Sequence, residues 1–278
     1  MWFYEHLYPD IRIAVKGNLV YRERTPYQKL ELYQTPRYGK MLVLDGTIQT
    51  TEKDEFIYHE MLTHPVLLLH PKPKKVLIIG GGDGGALREV LKHNIKEVYL
   101  VEIDRNVIEI SQKYLKKICQ DSFSDKRLHL IIDDGARFIR KTSEKFDIVI
   151  VDSPDPIGPA KVLFSKNFYS QIYSILTEYG IMVRQSGSTI LQQDELKTNY
   201  KLLKKIFTFA TIQIASIPTY IGGFFSFLIA FKKINSKTLN IEYIEKKFKT
   251  LGLKTHYYNP EVQISSMCLP TYISRIAQ

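Results

Sequence analysis

The chain has 278 residues, 44% of them hydrophobic and 24% charged, which excludes a disordered segment or a small stapled module and leaves room for a large α/β domain with a smaller companion. The net charge is +10. The lysines are nevertheless scattered (Lys72, Lys74 and Lys75; Lys201, Lys204 and Lys205; Lys246, Lys247 and Lys249) with no basic stripe, so a solvated surface is expected and no nucleic-acid partner.

Residues 12–16, 19–23, 29–34 and 40–44 mix β-branched, aromatic and alternating residues, with Gly17, Pro36, Gly39 and Asp45-Gly46 at the joints. They predict a small antiparallel sheet. Residues 55–69 read as a helix, and His70-Pro71-Lys72-Pro73 ends it. The expected division is a β domain of residues 1–66 and a larger domain of residues 67–278. From residue 75 short apolar runs (76–79, 98–101, 128–132, 148–151, 181–183) alternate with amphipathic stretches (86–92, 107–117, 167–176). That rhythm predicts a parallel sheet covered on both faces, with ligands beyond the carboxyl ends of its strands. The most apolar run, Phe224–Phe231, is far shorter than the roughly 18 residues of a membrane span. Cys119 and Cys268 suggest a reducing compartment and inert packing roles. Residues 1–10 lack the basic-then-apolar order of a leader, so the cytoplasm is the expected location.

The first strand of that series runs into Gly80-Gly81-Gly82-Asp83-Gly84-Gly85, and a helix follows at once. Such glycines let backbone approach a ligand closely. Glu102 ends the next strand, nineteen positions after Asp83, near the spacing at which an acid meets ribose hydroxyls. A nicotinamide dinucleotide fits the glycine spacing. Asp83 opposes it, because a carboxylate repels a pyrophosphate and attracts a cationic ligand such as a sulfonium nucleoside. Asp133-Asp134-Gly135 ends the third strand, where a carboxylate can accept from an adenine amino group, or simply cap a helix.

The fourth strand ends in Asp152-Ser153-Pro154-Asp155-Pro156-Ile157-Gly158-Pro159-Ala160. Proline restricts this loop to a defined shape, and two carboxylates at a cleft mouth suit a cationic amine. Tyr58 and His59 lie on the linking helix; alone, they would be core residues. No histidine pair or Cys/His cluster has metal-ligand spacing, so no metal is expected.

These stretches together resemble the spermidine synthases, the polyamine aminopropyltransferases. The resemblance is carried by Leu44-Asp45-Gly46-Thr47-Ile48-Gln49-Thr50-Thr51-Glu52, by 54–61, 80–85, Val101-Glu102-Ile103-Asp104, Asp133-Asp134-Gly135, 152–160, Gln185, Ile217-Pro218-Thr219-Tyr220 and Tyr257-Tyr258-Asn259-Pro260, in order along nearly the whole chain. It implies an α/β fold, a Rossmann-like, methyltransferase-type doubly wound sheet with a small N-terminal antiparallel β domain. It implies transfer of an aminopropyl group from decarboxylated S-adenosylmethionine, as co-substrate, to putrescine, giving spermidine and methylthioadenosine, without a metal, in a homodimer or homotetramer joined through the N-terminal region. By position, Asp152 would be the base, helped by Tyr58. Gln28, Gln49, His59, Gly80, Gly82, Asp83, Glu102, Asp134, Gly135 and Pro159 would hold the nucleoside, with Asp83 facing its amine, Glu102 the ribose, and Asp134 with Gly135 the adenine. Tyr58, Asp83, Asp152, Ser153, Asp155, Gln185 and Tyr220 would meet the diamine, and residues 153–164 would form a gate. Two stretches depart from the family pattern: Pro154 replaces the usual Ser or Thr, and Ile221-Gly222-Gly223 replaces Pro-Ser-Gly.

The expected chemistry is displacement at the carbon beside a sulfonium, whose thioether leaves without a metal. An alkyl ammonium with a pKa of about 10 has no lone pair at neutral pH, so the site must bind the cation and remove a proton. Alternatives are an S-adenosylmethionine-dependent polyamine N-methyltransferase on the same fold, an aminopropyltransferase for another diamine, a non-catalytic adenosine or polyamine sensor, and a nicotinamide reductase.

Overall fold

A computed structural model describes residues 1–154, 158–234 and 240–277, and of residues 158–160 the backbone alone. Strands β1 (Trp2–Tyr4) and β2 (Ala14–Lys16) form a short antiparallel ribbon. Strands β3 (Asn18–Arg24), β4 (Lys29–Thr35), β5 (Gly39–Leu44) and β6 (Thr47–Thr51) form a four-stranded antiparallel sheet in chain order. The β5–β6 turn is Asp45-Gly46, with φ of 47° and 80°. Positive φ at both positions belongs to the tight hairpin turn that matches strand twist. One face of this sheet closes over Phe3 and Val15 of the ribbon. The other places Leu30, Leu32 and Leu42 on Val107, Ile110, Leu115 and Ile118 of the main domain, which fixes the small sheet over one end of the large one.

Helix α1 (Glu55–Leu69) is buried almost all round and carries Pro65 in its interior. An interior proline removes a hydrogen bond to the carbonyl four residues back, at a cost of roughly 3 kcal/mol. Here that carbonyl, Met61, accepts from the Gln213 side chain at 2.9 Å. Lys247 Nζ donates to the carbonyls of Leu67, Leu68 and His70 at the helix end, where orphan carbonyls favour a cation. The domain division expected between residues 66 and 67 falls inside this helix.

The large sheet contains β7 (Lys75–Gly80), β8 (Glu97–Glu102), β9 (Leu128–Ile132), β10 (Phe146–Asp152), β11 (Leu176–Ser188), β12 (Phe209–Ser216) and β13 (Phe224–Phe231). Their order is β12-β13-β11-β10-β7-β8-β9. The expected parallel series is present in β7 to β11, but the sheet is mixed, because β13 runs antiparallel to both β11 and β12. Alternate residues divide between the faces. Val76, Ile78, Ile148 and Ile150 meet α1; Leu77, Ile79, Val149 and Val151 meet α6 (Lys166–Ile175) and α7 (Gln193–Ile206). Helix α2 (Gly85–Leu91) follows β7, and α5 (Gly135–Lys141) follows β9. The helix expected over 107–117 is two, α3 (Arg105–Tyr114) and α4 (Lys116–Cys119). They part at Leu115, whose φ and ψ of −106° and 39° leave the helical region. Helices α8 (Ile241–Leu251), α9 (Pro260–Ser265) and α10 (Thr271–Ala277) complete the chain. Cys119 is buried as expected. Cys268 is exposed, which corrects its packing assignment; it follows the short α9, at the surface. Among the described residues no helix is long and apolar enough to cross a membrane.

From β7 the chain winds outward through β8 and β9, then crosses back to β10 and β11. The winding reverses between β7 and β10, whose last residues, Gly80 and Asp152, stand side by side in register. Ligands of doubly wound sheets bind in the crevice at such a reversal.

Candidate active site

A cavity of about 600 Å³ opens at this reversal. Its floor is the end of β7 folded against the end of β10. The Gly81 amide donates to the Asp152 carbonyl at 3.0 Å. Gly80 has φ of 81°, and a Cβ there would sit 2.1 Å from that carbonyl oxygen, so only glycine lets the strands converge.

At one end of the cavity Gly82 faces Glu102, whose Oε1 accepts the Asp104 amide at 2.9 Å. Burial pushes the Glu102 carboxyl up to about 7, against the backbone amides that favour its charge. Asp104 caps α3 and also accepts from Thr25 at 2.8 Å and from the Gln28 side chain at 2.9 Å. Gln28 thus lines the cavity while tying the small sheet to the large one. Asp134 caps α5 by accepting the Arg137 amide at 2.8 Å, and Asp134 and Gly135 also line this end.

At the other end Asp152 and Asp83 converge. The Tyr58 hydroxyl donates to Asp152 Oδ1 at 2.6 Å. Asp83 accepts the Gly85 amide on Oδ1 at 2.8 Å, and its Oδ2 lies 3.3 Å from His59 Nε2. Ligand atoms of His59, Asp83 and Asp152 all fall within 4.8 Å of one another. Burial raises the Asp152 carboxyl, and the neighbouring Asp83 charge adds to it, reaching about 6 despite His59 and the Tyr58 hydrogen bond. Burial also opposes the charge on Asp83, but His59, the Gly85 amide and Arg88 outweigh it and hold Asp83 below the usual carboxylate range. Burial alone would lower His59; Asp83 and Glu55 overcome it and raise the ring well above its ordinary value. Of this group Asp83 and Asp152 line the cavity, and two convergent carboxylates suit an ammonium ion.

The rings of Tyr58, Tyr220 and Phe225 form a wall, with centroids 4.9 to 5.9 Å apart. The Tyr220 hydroxyl donates to the Gln49 carbonyl of β6, which brings the small sheet to this end of the site too. Gln185 lines the cavity, but its amide is engaged: Nε2 donates to the Ser153 carbonyl and Oε1 accepts the Gly187 amide, each at 2.9 Å. Gln185 therefore fixes Ser153, which also lines the cavity. The next residue back, Arg184, is buried, donates to the Leu163 carbonyl at 3.3 Å and lies 3.6 Å over the Phe164 ring. Two neighbours on β11 thus hold both ends of the 153–164 segment.

The structure gathers Tyr58, Gln28, Gln49, Gly80, Gly82, Asp83, Glu102, Asp134, Gly135, Asp152, Ser153, Gln185 and Tyr220 around one cavity. His59 stands behind Asp83, outside the lining. Asp155 and the side chain of Pro159 lie outside the described residues. Sequence reasoning missed Glu5 and Tyr8, which reach the cavity from the loop after β1, and Phe225 of β13. It also missed Glu55 and Arg88, although Glu55 stands four residues before His59, one helical turn away on the same face.

A family model described as the spermine/spermidine synthase domain matches residues 55–241, and one described as the spermidine synthase tetramerisation domain matches residues 1–52. The chain is 42% identical over 274 residues to a polyamine aminopropyltransferase of Ruegeria sp. (strain TM1040), covering 98% of this chain and 95% of that protein. It is 46% identical over 256 residues to a polyamine aminopropyltransferase of Pseudomonas syringae pv. tomato, covering 92% and 90%. A crystal structure of spermidine synthase in complex with the transition-state analogue AdoDATO superposes with a TM-score of 0.94 at 36% identity, over 99% of this chain and 94% of the other. The spermidine synthase from Thermotoga maritima gives 0.92 at the same identity and coverage.

Proposed function

Because this chain belongs to the spermine/spermidine synthase family of polyamine aminopropyltransferases, we propose that it transfers the aminopropyl group of decarboxylated S-adenosylmethionine to putrescine, giving spermidine and methylthioadenosine. The observation that carries this reading is the Asp83–Asp152 pair at the strand reversal: two half-buried carboxylates converging in one cavity call for a cationic ligand. In this reading Glu102 takes the ribose hydroxyls, and Asp134 with Gly135 the adenine. Gly80, Gly82, Gln28 and Gln49 shape the nucleoside end, and Asp83 holds the aminopropyl ammonium. Asp152 draws in the attacking amine and accepts one of its protons, while Tyr58 fixes that carboxylate. The amine lone pair forms the C–N bond as the C–S electrons return to sulfur, and alignment of the three atoms supplies the remaining acceleration. Tyr220 walls the diamine channel, Gln185 acts through Ser153, and residues 153–164, with Asp155 and Pro159, form the gate. Residues 1–66 would carry the assembly contacts of a homodimer or homotetramer in the cytoplasm; the tetramerisation match over residues 1–52 supports the oligomer.

The test is an acceptor series with decarboxylated S-adenosylmethionine. The expected result is spermidine and methylthioadenosine in equal amounts, with kcat/KM higher for putrescine than for cadaverine or spermidine. A higher kcat/KM for either of those acceptors would reassign the acceptor while leaving aminopropyl transfer intact.

A further inference from the structure

Behind Asp83 a line of buried charges leads away from the cavity. Arg88 of α2 donates from both terminal nitrogens to Glu55, each at 2.9 Å. Glu55 Oε2 lies 2.6 Å from His59 Nδ1, and His59 Nε2 lies 3.3 Å from Asp83. The ring packs directly on the backbone of Gly85, where a Cβ would lie 2.2 Å from it. Arg88 is held in turn by Glu89 at 2.7 Å and by the Ile118 carbonyl at 2.6 Å, and Glu89 by His64 and Lys92. Neither Glu55 nor Arg88 lines the cavity. Stability alone gives little reason for such a row, since buried ion pairs replaced by well-packed apolar groups are often neutral or better.

We propose that Glu55 and Arg88 are positioning residues that act through His59, holding it as an imidazolium against Asp83, so that of the two carboxylates Asp83 stays the anion that keeps the cofactor's ammonium and Asp152 is left to take the proton. This rests on the aminopropyl-transfer reading. Two carboxylates this close cannot both ionise freely, and a cation fixed beside one decides which does. Asp152 faces Tyr58 and His59 from α1 and Asp83 from the glycine loop. Asp83 faces His59, Arg88, the Gly85 amide, Asp152, Tyr58 and Cys119; His59 faces Glu55, Asp83 and Asp152. Glu55 is held by His59 and Arg88 and lies outside the cavity lining, so the cation is set from behind.

The test compares native protein with Glu55→Gln and Glu55→Asp. In Glu55→Gln the ring loses the anion behind it and keeps only Asp83, and the acidic limb of kcat/KM is expected to move up by about one pH unit. Affinity for decarboxylated S-adenosylmethionine should fall most on the acidic side of the limb, by up to about tenfold, the limit that a one-unit shift implies. Methylthioadenosine, which has no ammonium, should bind as before, and Glu55→Asp should lie nearer the native protein. Equal weakening of both ligands, or an unmoved limb, overturns the inference. Should Glu55→Gln fail to fold, histidine 1H–15N spectra of the native protein decide: both His59 ring nitrogens should stay protonated at pH 8, and a neutral ring at pH 7 overturns the proposal. A native protein that binds no decarboxylated cofactor overturns this inference and the function reading together. A native protein that binds it, beside a Glu55→Gln variant with the same affinity and limb, removes the inference alone.

Discussion

Replacing Asp152 with asparagine lowers turnover by about two orders of magnitude or more and leaves affinity for the sulfonium nucleoside near its native value. Asp152 ends β10 beside Gly80, where the two strands converge, and its side chain receives the Tyr58 hydroxyl. Asparagine keeps the shape and an oxygen that accepts from Tyr58, so the fold and the nucleoside end should survive. In the proposed mechanism, what is lost is the group that accepts a proton from the incoming ammonium. The pH profile separates this from a packing defect. Native activity should fall as pH drops through the Asp152 pKa, about 6 in the free protein, because the protonated acid neither attracts nor deprotonates the amine. Residual activity of the variant should lack that limb and rise with pH as free amine becomes available. Steady-state rates with saturating cofactor, from pH 5 to 9, provide the check. Near-native turnover in a folded variant would mean that the proton goes elsewhere.

Replacing Asp83 with asparagine should weaken the decarboxylated cofactor and narrow its preference over intact S-adenosylmethionine. The two cofactors differ by one carboxylate on the carbon that bears the amine. If Asp83 faces that carbon, it pairs with the amine and repels the carboxylate. Like charges about 4 Å apart cost roughly 4 kcal/mol at an effective dielectric near 20, enough for several hundredfold discrimination at about tenfold per 1.4 kcal/mol. Asp83 is suited to this role because His59, the Gly85 amide and Arg88 keep it charged despite its burial. Asparagine retains an oxygen for the Gly85 amide, so the start of α2 should hold. Calorimetric titration of both cofactors into native and variant protein gives the ratio. An unchanged ratio would remove the physical argument against a methyltransferase.

Local chemistry made much of the fold and cavity legible. Helix α1 follows from its apolar density and the His70-Pro71 stop, and the glycine loop from its place after a short apolar run. The strand-end acids Glu102, Asp134 and Asp152 follow from the rule that parallel sheets present ligands at their carboxyl ends. What stayed hidden depends on distant partners. Phe224–Phe231 shows only an apolar run; that it pairs antiparallel between β11 and β12 depends on two earlier strands, one ending at Ser188 and the other at Ser216, not on its own pattern. Pro65 argues against a helix until Gln213 supplies the missing donor. Glu55 and Arg88 are 33 residues apart, on different helices, and each alone reads as a surface charge. Cys268 looks like a core residue by type, and only the packing of the last helices leaves it outside.

The most direct measurement mixes the native protein with putrescine and equal amounts of intact and decarboxylated S-adenosylmethionine, and identifies the products by mass spectrometry. The Asp83–Asp152 pair predicts spermidine and methylthioadenosine, with the intact cofactor left unconsumed. Methylated putrescine and S-adenosylhomocysteine, with no aminopropyl product, would contradict it.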